Sequence, residues 1–517
     1  MAVSKLNPSA GGIPFGNTAG RPTPAIGKLY SNGEVGRLEL YTSAGWQNIV
    51  QETPGIASIT GTYNESAGSG TFVISGTNFV TGGIAYAVGT NGVEYQATTS
   101  TLNSIVQMTV VFTSLSPAYE PYDIKVLNPS NLFGLLPDAF YINDSPVWST
   151  SSGSLGTFNA GSVSVQLSAT DDESNSLTYT VVSGSLPTGL SLSSSGLISG
   201  TNSGTPGSTY TFTVSVSDGY NTAVTRSFSM IMAYPVVSGG TLSSDSTYYY
   251  RTFLSTSSLV LSNAALSSDI LVIAGGGGSG AGYSGGGGAG GVAYYSNRSV
   301  AVGTHSVSVG SGGPAATIGV ASQFGSLISV NGGGDGGAQN PGGAGGSGGG
   351  GGGYSGITGG VSNQTSGSGY TFYGNTGGNG TVTFKNSGGG GGAGGVGGNA
   401  SGGEPGVAGS GGIGTSLFSS WGLATSTGQN SGGTYYYAGG GGGGAGGLVN
   451  EASGYSGGAG GLGGGGAGRT STANVGTGIP GTANTGGGAG GSTQNYAGST
   501  GGSGIVIVRY TKASVGG

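Results

Sequence analysis

Hydrophobic and polar residues alternate along much of the chain with the two-residue period that is typical of β-strands. The alternation is regular in residues 122–126 and 211–217, and an Ile-Val-Ile-Val run follows Gly504. Glycine, proline and asparagine separate these runs, as they do at turns between strands. No stretch combines a helical hydrophobic period with capping residues at both ends. The pattern therefore predicts an all-β fold.

Changes in this pattern divide the chain into four segments, residues 1–54, 55–145, 146–233 and 234–517. The first segment has room for only two or three short strands, and a segment of this size buries too little apolar surface to be rigid alone. We therefore expect residues 1–54 to form a docking module that needs a partner. The alternative is a cap on the following domain.

Residues 55–145 have the length and the spacing of turn signals that are typical of one immunoglobulin-like (Ig-like) β-sandwich. Strands are predicted at residues 71–76, 105–112 and 122–126. The motif ISGTNF, which begins at Ile74, and the later VLNP resemble the IPT/TIG family of Ig-like domains.

Residues 146–233 repeat this size with a different pattern. The motifs LPTGLSL at residues 186–192 and GLISGT at residues 196–201 resemble the putative-Ig and cadherin-like domains of surface proteins. This resemblance implies a second sandwich that acts as a spacer, because such modules set distance and rarely carry chemistry.

Glycine dominates the last segment, since residues 271–517 contain 94 of the 124 glycines. One interpretation is a flexible Gly/Ser linker. Two features argue against it: strands stand at both ends of the segment, and apolar and aromatic residues are frequent while charge is nearly absent. Polyglycine can adopt an extended helix with three residues per turn, whose outward N–H and C=O groups bond to neighbouring helices. We therefore predict a glycine-rich body with β-strands and polyglycine-II packing.

Several motifs of this segment resemble known phage proteins. DILVIAGGGG at residues 269–278 and GGSGIVIVRY at residues 501–510 resemble the glycine-rich domain of phage fibre proteins, and the later glycine blocks are similar to the tail-tip adhesins of T-even phages. Residues 17–49 resemble short N-terminal modules in virion proteins of marine, cyanophage-like myophages. These resemblances imply a homotrimeric fibre on the surface of a virion, with the tail or baseplate favoured over the head, joined to other virion proteins through residues 1–54.

Composition narrows the possible functions. The net charge is −6, only 6% of the residues are charged, and the chain has one histidine and no cysteine. Nucleic acid is not expected as a partner because there is no basic field, and no apolar run approaches the about 18 residues of a membrane helix. Zinc sites and disulfides are excluded, and a catalytic triad could use only His305. We expect no enzymatic activity and no obligatory cofactor.

Aromatic side chains between the glycine blocks are the candidate receptor contacts. They are flanked by serine, asparagine, glutamine and threonine, a combination that offers flat apolar surface and adaptable hydrogen bonding to a host polysaccharide or outer-membrane protein. The alternative is that these rings fill gaps beside the glycine layers, because glycine provides no core. The candidates are Tyr370, Phe372, Tyr373, Phe418, Trp421, Tyr435, Tyr436 and Tyr437.

Carboxylates of the second sandwich form a candidate calcium site. Asp171, Asp172 and Asp218, with Glu173 beside them, could supply oxygen ligands near a domain end, as in cadherin-like modules. The alternative is a solvated acidic loop.

Together these features favour a structural fibre of a tailed phage, acting as a tail fibre or adhesin through loops of the glycine-rich domain. A capsid or collar decoration fibre with the same domains is the first alternative, and a bacterial surface adhesin is the second. A depolymerase is disfavoured because ionisable residues are scarce.

Overall fold

The computed structural model describes residues 15–16, 18–21, 23–32, 37–48, 52–354, 357–403, 406–446, 454–470 and 476–517. Strands dominate these residues, and the prediction of an all-β fold is confirmed. The described part of the chain contains one α-helix, α1 (Ser419–Thr425), and short 3-10 helices at Thr18–Gly20, Pro117–Tyr119 and Ala513–Val515. None of these helices has the length or apolar character that crossing a bilayer requires.

A small sheet lies within residues 1–54, where residues 1–14, 17, 22, 33–36 and 49–51 are outside the described part. Its strands follow one another in sequence order, and the first two are parallel. The ring of Trp46 packs against Tyr30 and Tyr41, with centroids 5.8 and 5.4 Å apart. The strands are β1 (Phe15–Gly16), β2 (Leu29–Asn32), β3 (Arg37–Thr42) and β4 (Gly45–Asn48).

The next two sheets form a β-sandwich over residues 55–143, with strand orders β13-β5-β6-β10-β9 and β12-β11-β7-β8. Alternation in the sequence marks the inward face, because Tyr122, Ile124 and Val126 are fully buried between the sheets. The strands are β5 (Gly55–Asn64), β6 (Ser69–Thr77), β7 (Ile84–Val88), β8 (Glu94–Gln96), β9 (Thr99–Ser104), β10 (Gln107–Thr113), β11 (Tyr122–Leu127), β12 (Phe133–Phe140) and β13 (Ile142–Asn143).

A second sandwich covers residues 147–232, with the sheets β15-β22-β21-β18 and β16-β20-β19 and the pair β14-β17. Trp148 is buried in its core, where the ring lies edge-on to Tyr179 and Phe228 and Nε1 donates to the carbonyl of Val224. The strands are β14 (Val147–Trp148), β15 (Gly153–Phe158), β16 (Gly161–Gln166), β17 (Ala169–Thr170), β18 (Thr178–Gly184), β19 (Leu190–Leu192), β20 (Leu197–Asn202), β21 (Thr209–Ser217) and β22 (Val224–Met232).

The last segment is built on a six-stranded sheet of order β24-β25-β34-β27-β28-β31, beside a four-stranded sheet of order β23-β26-β29-β30 and the hairpin β32-β33. The strands are β23 (Val236–Ser238), β24 (Thr241–Ser244), β25 (Tyr248–Phe253), β26 (Ser257–Ser262), β27 (Leu266–Ile273), β28 (Val292–Val300), β29 (Gly303–Ser308), β30 (Gln323–Phe324), β31 (Thr371–Tyr373), β32 (Gln429–Ser431), β33 (Thr434–Tyr436) and β34 (Ile505–Thr511).

Strand β34 lies in the interior of the six-stranded sheet and pairs with β25 and β27. Its two faces enter different cores, which explains its continuous apolar sequence. Val506 and Val508 pack toward the four-stranded sheet, whereas Ile505 and Ile507 pack toward the glycine segments and α1. The glycine segments therefore form a long insertion in the chain between β27 and β34, which are neighbours in the sheet.

Backbone hydrogen bonds join the glycine segments laterally with a period of three residues. Successive N–H groups of residues 285–290 point in turn to three different segments, one parallel and two antiparallel, at N···O distances of 2.7–3.1 Å. A period of three is that of the polyglycine-II helix and differs from the two-residue period of a β-strand. The donor and acceptor pairs are Gly285–Gly337 and Gly288–Gly334, then Gly286–Gly388 and Ala289–Gly391, then Gly287–Ala489 and Gly290–Gly486.

This lattice of packed glycine segments excludes larger side chains from its interior. Residues 285–290 and 441–446 are buried. A Cβ added at Gly286 would overlap the carbonyl of Gly441, and one added at Gly390 would overlap the carbonyl of Gly287. Glycine is required here because the backbones themselves are the packing surfaces.

Replacing one lattice glycine should therefore destabilise the whole body. We expect Gly286→Ala to lower the free energy of unfolding by about 3 kcal/mol or more, since backbone rather than a flexible side chain must move. Gly402→Ala is the matched control, because Gly402 is exposed and its new Cβ would meet nothing closer than 3.8 Å. Calorimetry and limited proteolysis of both variants check this, and equal melting temperatures would contradict lattice packing.

Candidate functional site

Chain connectivity gives the lattice two ends. Strand β27 ends at Ile273, residues 274–279 leave the six-stranded sheet, and residues 285–290 return to it antiparallel, before β28 begins at Val292. The turn at residues 280–284 therefore lies at the end opposite the sheet. We call this the far end and the sheet side the near end.

Several loops meet at the far end through main-chain contacts around the first turn. The N–H of Gly282 donates to the carbonyl of Tyr496 at 3.0 Å. The carbonyl of Tyr283 accepts from the N–H of Gly353 at 3.0 Å and from Oγ of Ser387 at 2.7 Å. Segments that are distant in sequence thus form one surface.

A cleft of about 560 Å³ opens in this surface. Tyr354 and Tyr496 are 48% and 40% exposed, whereas Tyr283 is buried. Nζ of Lys385 lies 5.3 Å from the centroid of the Tyr283 ring and 5.5 Å from that of Tyr354. The cleft also has amide side chains, among them Gln494, so it combines aromatic faces, amides and a cation.

The near end carries a different aromatic cluster, centred on Arg509 of β34. The guanidinium carbon of Arg509 lies 4.3 Å from the ring centroid of Tyr248 and 4.5 Å from that of Trp421. Its Nη2 also donates to Oδ2 of Asp269 at 2.6 Å. Phe418 completes the cluster and packs on Trp421 at a centroid distance of 5.8 Å. This cluster joins α1 to the six-stranded sheet.

Polar groups also cluster where the two sandwiches meet, and Asp218 accepts four hydrogen bonds there. Its Oδ1 accepts from the N–H groups of Tyr220 and Asn221, and its Oδ2 accepts from the side-chain amides of Asn143 and Asn221. These bonds lower the pKa of Asp218 against the opposing effect of burial. Asp218 thus organises the junction through hydrogen bonds.

A second group of carboxylates lies at the same junction. Oxygens of Glu120, Asp144 and Glu173 are all within 4.8 Å of one another. Burial, together with the charges of Glu173, Glu65, Glu120 and Asp172, raises the pKa of Asp144 to about 6. Oδ1 of Asp144 is buried without a hydrogen-bond partner. Carboxylate oxygens in such a group could hold a divalent cation.

Family comparison agrees with this architecture. The model of the "Glycine-rich domain" family matches residues 252–511, just over half of the chain, and that of the "Putative Ig domain" family matches residues 145–233. The chain belongs to the glycine-rich domain family. No curated protein matches the sequence.

Solved structures that resemble the chain contain Ig domains. The first two Ig domains of DIP-gamma match with 12% identity over 36% of this chain and 100% of theirs, with a TM-score of 0.22. A titin I-band fragment matches with 12% identity over 43% of this chain and 80% of its own, with a TM-score of 0.24. The N-terminal Ig module of the Drosophila receptor tyrosine phosphatase DLAR matches with 11% identity over 35% and 98%, with a TM-score of 0.14. Identities this low carry no information about function.

Within the glycine-rich domain, the structure contradicts three of the predicted receptor contacts. Phe418, Trp421 and Tyr437 are 5%, 3% and 0% exposed and belong to the near-end core. Their rings fill the space beside the six-stranded sheet, where the glycine segments offer no side chains. They are core residues, which agrees with the alternative that these rings fill gaps beside the glycine layers.

The remaining predicted contacts are half-buried and also lie toward the near end. Tyr370 stacks on Tyr295 of β28 at a centroid distance of 5.3 Å, and Phe372 and Tyr373 belong to β31 at the edge of the sheet. Tyr435 and Tyr436 belong to the hairpin strand β33. The sequence did not indicate the far-end tyrosines, Tyr283, Tyr354 and Tyr496, because each is a single aromatic residue among small residues and does not belong to an aromatic run.

The predicted calcium ligands lie at the sandwich junction in different settings. Asp171 is half-buried, its Oδ1 accepts from the N–H of Asn175, and its Oδ2 is buried without a partner. Asp172 is exposed, and Asp218 is occupied by its hydrogen bonds. Calcium stays a prediction, and the carboxylate group that could bind it centres on Asp144 rather than on Asp218.

Trp421 provides a direct test of the near-end core. We expect Trp421→Ala to lower the free energy of unfolding by about 3–5 kcal/mol, because it removes a buried ring that packs on Arg509 and Phe418. Leu423→Ala on the same helix is the control, since Leu423 is 67% exposed. Thermal unfolding of both variants decides it. Loss of cell binding with an unchanged melting temperature would instead restore Trp421 as a receptor contact.

The raised pKa of Asp144 predicts a dependence of stability on pH. Above about pH 6 the folded protein holds a charged carboxylate that the fold disfavours, whereas an unfolded aspartate loses its proton near pH 3.9. In metal-free buffer, the melting temperature should therefore rise as the pH falls from about 7 to about 5. Asp144→Asn should reduce this rise, and Asp138→Asn, an exposed control, should not. A melting temperature that falls over this range in the wild type would contradict it.

The same unfolding measurement near pH 7 tests calcium. A bound cation would offset the repulsion among Glu120, Asp144 and Glu173, so added calcium should raise the melting temperature of the wild type but not of Asp144→Asn. An unchanged wild-type melting temperature would reject the calcium prediction.

Proposed function

We propose that the protein is a virion fibre of a tailed phage that attaches to a host-surface receptor through the far-end loops of its glycine-rich domain. The combination of Ig-like and glycine-rich domains is that of a structural or adhesin-like protein. The phage origin and the tail location rest on the sequence resemblances of residues 17–49, 269–278 and 501–510.

The observation that carries the proposal is the way in which the lattice holds the far-end loops. Binding surfaces are commonly built from loops on a rigid scaffold. Here the scaffold is bonded through main-chain groups, so the bonding of residues 285–290 does not depend on side chains in the loops. Loop sequences can therefore change, as adaptation to new receptors requires, while the lattice remains intact.

The other segments have supporting roles in this proposal. Residues 1–54 join the fibre to other virion proteins, and the two sandwiches space the glycine-rich domain outward. Assembly as a homotrimer on a particle with several fibres would present many copies of each loop. Simultaneous weak contacts then give strong attachment through high effective concentration.

Immunogold electron microscopy of intact particles tests the proposal. The antibody is raised against residues 413–437, which include the exposed Leu417 and Leu423. We expect label on fibres of the tail or baseplate, and the purified protein should reduce adsorption of the phage to its host. Label around the head or collar would indicate a decoration fibre, and label on bacterial cells alone would indicate a bacterial adhesin.

A further inference from the structure

The far-end cleft has the size and lining of a binding site for a small polar ligand. Its volume of about 560 Å³ lies within the range of about 300–1,000 Å³ that is typical of such sites. The exposed rings of Tyr354 and Tyr496 offer flat faces on which a sugar ring can stack. Gln494 also lines the cleft, and its buried Oε1 has no hydrogen-bond partner.

Three non-glycine residues of the cleft have left-handed backbone conformations. Tyr283, Lys385 and Asn495 have φ angles of 47°, 54° and 63°, in the left-handed region that favours glycine. They are three of the fourteen described non-glycine residues with such a φ, and all three line this one cleft. Backbone conformations of this kind persist where the side chain is needed, and they cluster at ligand sites.

The charge of the cleft favours an anionic ligand. Lys385 is the single cation among the described lining residues, which include no carboxylate. Its Nζ lies over the rings of Tyr283 and Tyr354 at 5.3 and 5.5 Å, so the ammonium group is held at a defined place. In a protein with a net charge of −6, this is a local positive site.

We propose that the far-end cleft binds an anionic saccharide, with the sugar ring stacked on Tyr354 or Tyr496 and its carboxylate or phosphate directed to Lys385. This inference rests on the proposed function, because it names the chemistry of the receptor that the far-end loops recognise. Saccharide hydroxyls suit the amides of the cleft, and a charged substituent explains the lysine among the rings.

Calorimetric titration of the full-length protein with three probes tests the ligand class. The probes are trigalacturonate, a phosphorylated galactose and neutral galactotriose. We expect the wild type to bind at least one anionic probe about tenfold or more tightly than the neutral one. Carboxylate and phosphate sources are distinguished by which anionic probe binds.

Three variants assign the binding to the cleft. Lys385→Met keeps an unbranched side chain over the rings and should remove the preference for the anionic probe. Tyr354→Ala and Tyr496→Ala should weaken binding about tenfold or more. Tyr220→Ala is the matched control, since Tyr220 is 51% exposed in the second sandwich, and it should bind as the wild type does. Unchanged melting temperatures confirm that the variants fold.

Failure of the cleft proposal and failure of the proposed function are separable. If the wild type binds no saccharide, or if the cleft variants bind as well as Tyr220→Ala, the cleft proposal is overturned even when gold label marks tail fibres. Binding of a purified host outer-membrane protein in place of any saccharide overturns it too. If the anionic probe binds through Lys385 but no label is found on virions, the cleft proposal is supported and the proposed phage-fibre function is overturned.

Discussion

Lateral hydrogen bonding between glycine segments is the interaction on which the rest of the glycine-rich domain depends. Each N–H of residues 285–290 reaches another segment, and the close approach that this requires leaves no space for a Cβ at the glycines. Ordering glycine costs more conformational entropy than ordering any other residue. Main-chain hydrogen bonds and dense burial offset that cost only when several segments pack together, because each segment needs neighbours on three sides.

A lattice built mainly of glycine provides little hydrophobic core, and the six-stranded sheet supplies one at the near end. Ile505 and Ile507 of β34 pack with Phe418 and Trp421, while Arg509 lies between two aromatic rings and Asp269. The conspicuous aromatic residues thus anchor the lattice to the sheet. The pairing of β34 with β27 holds the two ends of the glycine-rich insertion side by side in the sheet.

Stability and recognition are consequently separated in space. The near end holds the buried aromatic residues, whereas the far end presents loops whose contacts with the lattice are largely main-chain contacts, such as that between Gly353 and Tyr283. Tyr354 and Tyr496 are exposed at the far end, so this part of the proposed receptor surface can change without weakening the near-end core. The carboxylates around Asp144 lie apart from both, at the junction of the two sandwiches.

The sequence by itself determined the all-β class, because strand alternation is a local pattern. It favoured polyglycine-II packing over a flexible linker, because the glycine blocks lie between strands and carry almost no charge. It could not separate Trp421 from Tyr354, since glycine and serine flank both rings. Only the tertiary structure decided that Trp421 is buried at the near end and Tyr354 exposed at the far end. The physical reason is that each loop lies at the near or the far end of the lattice according to the direction in which the preceding segment crosses it. Likewise, Glu120 and Glu173 meet only because two sandwiches pack together.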